Sequence, residues 1–148
     1  MPDQNEPQSD ALQAAAAKRV ELKEALSRVE AAAASPSADA GWRARLMREL
    51  EHLRAALLEH VDEVEAEDGL LAEMIVQAPR LANQIASVRD EHPDLCSQVD
   101  QTIIDVRDSD DVIDLRTGVL ETLTAVARHR QRGADLVYEG YQVDIGGS

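Results

Sequence analysis

The chain has no phenylalanine, one tryptophan (Trp42), two tyrosines (Tyr138 and Tyr141) and one cysteine (Cys96) among its 148 residues. Without aromatic bulk, an interior must be filled by Ala, Leu and Val, which suits closely packed helices and disfavours a β-sandwich. A single cysteine excludes an intramolecular disulfide and fits a reducing cytoplasm. Cys96 itself lies within a helical pattern and reads as an inert thiol. Positive charge is scarce as well: 15 Lys and Arg stand against 29 Asp and Glu, a formal net charge of −14. Such a chain repels nucleic-acid phosphate, and its one short basic run, Arg128, Arg130 and Arg132, is too small to reverse that, so no nucleic-acid partner is expected. No apolar run approaches membrane-spanning length, and the first ten residues lack the basic and apolar regions of a signal peptide, so no membrane partner is expected either. There is no Gly-rich phosphate loop and no Ser-His-Asp arrangement, which argues against an enzyme.

What the sequence does contain is helical periodicity. Residues 1–9 hold two prolines and no apolar pattern and read as a disordered tail, with Ser9 or Asp10 able to cap a first helix. Leu12, Ala15, Arg19, Leu22, Leu26, Val29 and Ala33 then recur every three or four residues, the spacing of one helix face, until Ser35-Pro36 stops the helix. A second helix is predicted from about Asp39 to Glu67, with the stripe Trp42, Leu46, Leu50, Leu53, Leu57, His60 and Val64; Asp68-Gly69 breaks it. A short amphipathic segment covers 70–77, suited to a lid over the bundle end or to a second subunit. Pro79 opens a third long helix with the stripe Leu81, Ile85, Val88, His92, Leu95 and Val99, in which Pro93 should kink or loosen one turn. The fourth runs from about Asp111 to Tyr138 through Val112, Leu115, Val119, Leu123, Val126, His129, Gly133 and Leu136. The predicted fold is all-α: an antiparallel up-down-up-down four-helix bundle over 10–138, with residues 139–148 as an extended C-terminal tail.

Three of the four histidines, His60, His92 and His129, fall in phase with the apolar stripes of three different helices. His52 falls out of phase and reads as solvated. A buried imidazole needs a hydrogen-bond partner or a metal, because an unpaired polar group in a core costs about 1–3 kcal/mol. Three of them at one level would suit zinc, iron or manganese. Periodicity places each ring on an inner face but not at a common height. Glu63 and Glu65, three and five residues after His60, are the nearest carboxylate candidates.

With those residues placed, the sequence resembles the hemerythrin-like (HHE cation-binding) family. The resemblance is carried by the four-helix layout, Glu59-His60-Val61-Asp62-Glu63-Val64-Glu65, the Asp90-Glu91-His92 step, and the segment from His129 through Asp135-Leu136-Val137-Tyr138-Glu139-Gly140-Tyr141. The ending Val143-Asp144-Ile145-Gly146-Gly147 looks like the close of a bacterial subgroup, and the whole covers roughly residues 11–147. The resemblance implies a bundle holding a non-haem di-iron centre that binds oxygen or related small molecules, with His60, His92 and His129 at ligand positions. Here the chain departs from the family pattern. Arg19 (or Lys18) stands where the first helix would supply a histidine, Val64 follows His60 by four residues, and Gly133 follows His129 by four.

The implied metal set is therefore His60, Glu63, Glu65, His92 and His129, a degenerate site, with Arg19 expected to pair with Glu63 or Glu65 and replace the cation's charge. The cofactor is left open between iron, zinc and none. The function expected is a non-enzymatic binding or regulatory module, monomeric or weakly dimeric, with a protein partner left open. The alternative is an iron or single-metal protein that senses or carries oxygen or nitric oxide.

Overall fold

The computed structural model describes residues 9–143. Ser9 begins the first helix as expected of a capping residue: its hydroxyl accepts from the Leu12 N–H at 3.1 Å. The elements that follow are α1 (Asp10–Ala34), α2 (Trp42–Glu65), the short α3 (Leu70–Gln77), a 3₁₀ turn (Pro79–Leu81), α4 (Ala82–Asp108) and α5 (Val112–Val137). Each boundary has a local cause. α1 ends at Ser35, held extended before Pro36. Gly69 sits in the tight α2–α3 turn, where a Cβ would lie 2.5 Å from the Glu63 carbonyl oxygen. Asp111 caps α5 by accepting from the Asp114 N–H. α4 runs as one α-helix through Pro93.

Cross-helix bonds fix the directions. Lys18 near the start of α1 meets Glu59 near the end of α2. Arg43 at the start of α2 donates to the Val106 and Ser109 carbonyls at the end of α4. Arg116 at the start of α5 donates to the Ala33 and Ser35 carbonyls at the end of α1. Neighbours around the ring α1–α2–α4–α5 therefore run antiparallel, the predicted up-down-up-down bundle. The two arginines also satisfy the orphan carbonyls of two helix C-termini at the same pole. Among the described residues no helix is long and apolar enough to cross a membrane.

The predicted stripes are the interior. Trp42, Leu46, Leu50, Leu53, Leu57, His60 and Val64 are all buried, as are Ile85, His92, Leu95 and Val99. The apolar interior divides into a larger cluster, which includes Leu22, Leu57, Leu95 and Val126. The smaller cluster includes Ala15, Val64, Ile85 and Leu136. α3 covers the pole that holds the smaller cluster, burying Leu70, Leu71 and Met74 there. Of the two uses open to residues 70–77, this packing is that of a lid over the bundle end. Of the predicted extended tail, the described part is wound instead: Tyr138–Val143 continues α5 as a π-helical turn, and the Tyr141 hydroxyl donates to Glu73 of α3. Tying that turn to α3 favours continued winding over extension. Residues 144–148, the rest of the predicted tail, and residues 1–8 lie outside the described residues.

Candidate metal centre

Between the two apolar clusters lies a polar layer to which every long helix contributes one residue: Arg19 from α1, His60 from α2, His92 from α4 and His129 from α5. Each occupies the stripe position between residues of the two clusters, such as Leu57 and Val64 around His60. The three imidazoles meet. One ring nitrogen from each lies within 4.8 Å of the others, and the ring centroids are 4.7–5.6 Å apart, all edge to face. The rings are 7%, 2% and 2% exposed for His60, His92 and His129.

Outer contacts orient two of the rings. His92 Nδ1 is 2.8 Å from Glu65 Oε2, and His129 Nδ1 is 2.8 Å from Glu91 Oε1. A carboxylate accepts, so each Nδ1 carries the hydrogen, and a ring with no second hydrogen then turns the lone pair of its Nε2 inward. Those two Nε2 atoms face each other at 3.1 Å. Two lone pairs at that distance repel unless a proton or a metal cation lies between them. Imidazoles sharing one ion at metal–nitrogen distances of ~2.0–2.1 Å sit about 2.9–3.4 Å apart for bond angles of roughly 90–109°. The observed separation falls in that interval. His60 supplies a further signal: its Nδ1 is buried with no hydrogen-bond partner.

The electrostatics follow from burial. Burial first, then the neighbouring His129 and His92 and the Arg19 guanidinium, push His60 down to about 3. Burial also lowers His129, against the upward pull of its Glu91 bond. Burial alone would raise the Glu91 carboxyl, but the hydrogen bonds from His129 and Arg132 outweigh it and hold the group below its usual range. His60 and His129 are thus biased toward the neutral form, the state in which imidazole binds a metal. Arg132 donates to Glu91 from the solvent side, which anchors the carboxylate that orients His129.

The layer borders a chamber of about 30 Å³, room for about two waters or one ligand of two or three atoms. Its walls include Leu70, Leu71 and Met74 of α3, Val64, Leu136, Arg19, Arg130 and the three histidines.

Of the five residues predicted as ligands, the three histidines come together and the two glutamates do not join them. Glu65 reaches across to the outer nitrogen of His92. Glu63 makes no hydrogen bond or ion pair among the described residues. The predicted pairing of Arg19 with Glu63 or Glu65 is also absent: Arg19 lines the chamber, while Glu65 is engaged by His92. Its alternative, Lys18, pairs with Glu21 and Glu59 on the surface. The reason is geometric, since Glu63 and Glu65 are off the stripe that carries His60 inward, so their carboxylates cannot reach the layer's inner face. Glu91 and Arg132 were not among the predicted ligands. Glu91 adjoins His92 in sequence but serves the histidine of another helix, a pairing no single-helix pattern reveals. His52 is exposed, as its phase predicts.

No protein-family model, curated protein or solved structure matches the chain.

Proposed function

We propose that this chain is a hemerythrin-like bundle that holds one transition-metal ion on His60, His92 and His129 and keeps a further coordination position for a small ligand from the chamber. The observation that carries this reading is the pair of Nε2 atoms facing at 3.1 Å while both Nδ1 atoms are held by carboxylates. A metal-free interaction module accounts for those two His–Glu bonds. It needs one of the two rings to carry a second hydrogen so that its Nε2 can donate to the other, and it leaves the buried His60 Nδ1 without a partner.

One ion is proposed rather than two. A di-iron centre needs bridging carboxylates, and here Glu65 and Glu91 lie on the outer sides of their rings. Where a fourth-helix carboxylate would be sought, Gly133 borders the chamber instead. Three imidazoles and an open position suit zinc or iron(II). A bound ion would supply Lewis acidity toward the chamber ligand. The protein's part is to fix the rings through Glu65 and Glu91 and to exclude bulk water with α3. The reading is a binding module, not an enzyme, located in the cytoplasm, in keeping with the single cysteine.

The test is metal analysis of tag-free protein purified from cells grown with added iron and zinc. About one ion per chain is expected, falling to near zero in a His92→Ala, His129→Ala double variant. Protein that leaves such cells metal-free and takes up neither ion in dialysis would overturn the proposal.

A further inference from the structure

In a chain with 29 acidic and 15 basic residues, the chamber wall contains no Asp or Glu. Its polar members are Arg19, Arg130 and the three histidines. Arg19 is half-buried, and its guanidinium meets no carboxylate among the described residues. The Arg130 Nε donates only to the Arg19 backbone carbonyl, so a second cationic side chain stands beside the first. Burial and then the charge of Arg130 lower the Arg19 guanidinium, as expected where cations lack a counter-ion. Apolar walls strengthen whatever electrostatic field the chamber holds.

A charge count sharpens the point. Glu65 and Glu91, bonded to His92 and His129, offset the two charges of a divalent ion. Arg132 already shares Glu91. Arg19 is then left over, half-buried in the chamber lining and close enough for its charge to act on His60. A neutral ligand such as a dissolved gas would fill the space without using the positive potential of the two arginines. A small anion would do both.

We infer that the chamber ligand is a small inorganic anion of one to three atoms, held between the metal and the Arg19 guanidinium, with Arg19 as its specificity determinant. This rests on the metal site proposed above. The half-buried guanidinium contributes charge and directed N–H donors, and a chamber of about 30 Å³ excludes larger oxyanions and organic acids.

The probe is azide, titrated into full-length protein loaded with Co²⁺ and followed by the visible ligand-field bands. Azide is expected to shift those bands in the native protein. Arg19→Met should retain one Co²⁺ per chain and weaken azide between about 10- and 100-fold, the range for losing a charged hydrogen bond. Arg19→Lys, which keeps the charge but not the planar fork, should fall between the two. It also serves as the comparison should Arg19→Met fail to give a native circular-dichroism spectrum. Azide that leaves the native bands unmoved, or binds all three proteins equally, overturns the inference while leaving the metal site intact. Failure of the native protein to bind Co²⁺ overturns the metal site and the inference together.

Discussion

His60 shows most plainly the conflict between stability and binding. In the absence of metal its Nδ1 is a buried polar atom without a partner, which costs about 1–3 kcal/mol. Leucine has a similar volume and removes that cost. His60→Leu is therefore expected to raise the stability of metal-free protein by about 1 kcal/mol in urea denaturation while abolishing stabilisation by added metal. A pure packing role for His60 would give no such reversal of sign.

The same ring sets a pH dependence. His60 is held near 3 in the fold, against an ordinary imidazole value of 6.5, so between those values the unfolded chain binds more protons than the folded one. The contribution is whole above about pH 6.5 and is lost as pH falls toward 3, at up to about 1.4 kcal/mol per pH unit for one fully shifted group. His129 is shifted in the same direction. Denaturation of metal-free protein at pH 7.5 and pH 5 should show the loss, and His60→Leu should show a shallower one.

At the scale of elements, the long helices were legible because apolar residues recur at 3.6-residue spacing and Ser9, Pro36, Asp68-Gly69 and Asp111 punctuate them. The inward phase of His60, His92 and His129 was legible for the same reason. Their common height was not, because it depends on how far each helix is shifted along its neighbours, which periodicity does not encode. The roles of Glu65 and Glu91 were hidden likewise, since each serves a ring on a different helix. Only the start of the predicted tail is described: Tyr141, Val143 and Ile145 alternate like a strand in sequence, but Tyr138–Val143 winds, where the Tyr141–Glu73 contact ties it to α3.

Two glycines test the element-level account in opposite directions. A Cβ at Gly133 would meet nothing within 4 Å, so Gly133→Ala should stabilise by about 0.5–1 kcal/mol through helix propensity. A Cβ at Gly69 would meet the Glu63 carbonyl at 2.5 Å. Gly69→Ala should therefore destabilise, by about 1–3 kcal/mol, because backbone rather than a flexible side chain has to shift. Thermal melts of the two variants beside the native protein check both signs.

The whole molecule has two unlike poles. At one, Arg43 and Arg116 close helix ends by donating to the carbonyls of α4 and α1, and Arg116 also lies 5.5 Å over the Trp42 ring. At the other, α3 and the π-helical turn lie over a layer of histidines flanked by two carboxylates. The first pole is built as a clamp. The second gives core volume to three imidazoles in a molecule of net charge −14, a placement that packing alone does not require and that the proposed cation would account for. X-ray absorption of zinc-loaded protein addresses that claim most directly. The account expects a first shell dominated by three imidazole nitrogens at about 2.0–2.1 Å with no second metal at about 3.5–4 Å. A shell of carboxylate oxygens, or a metal–metal vector, would contradict it.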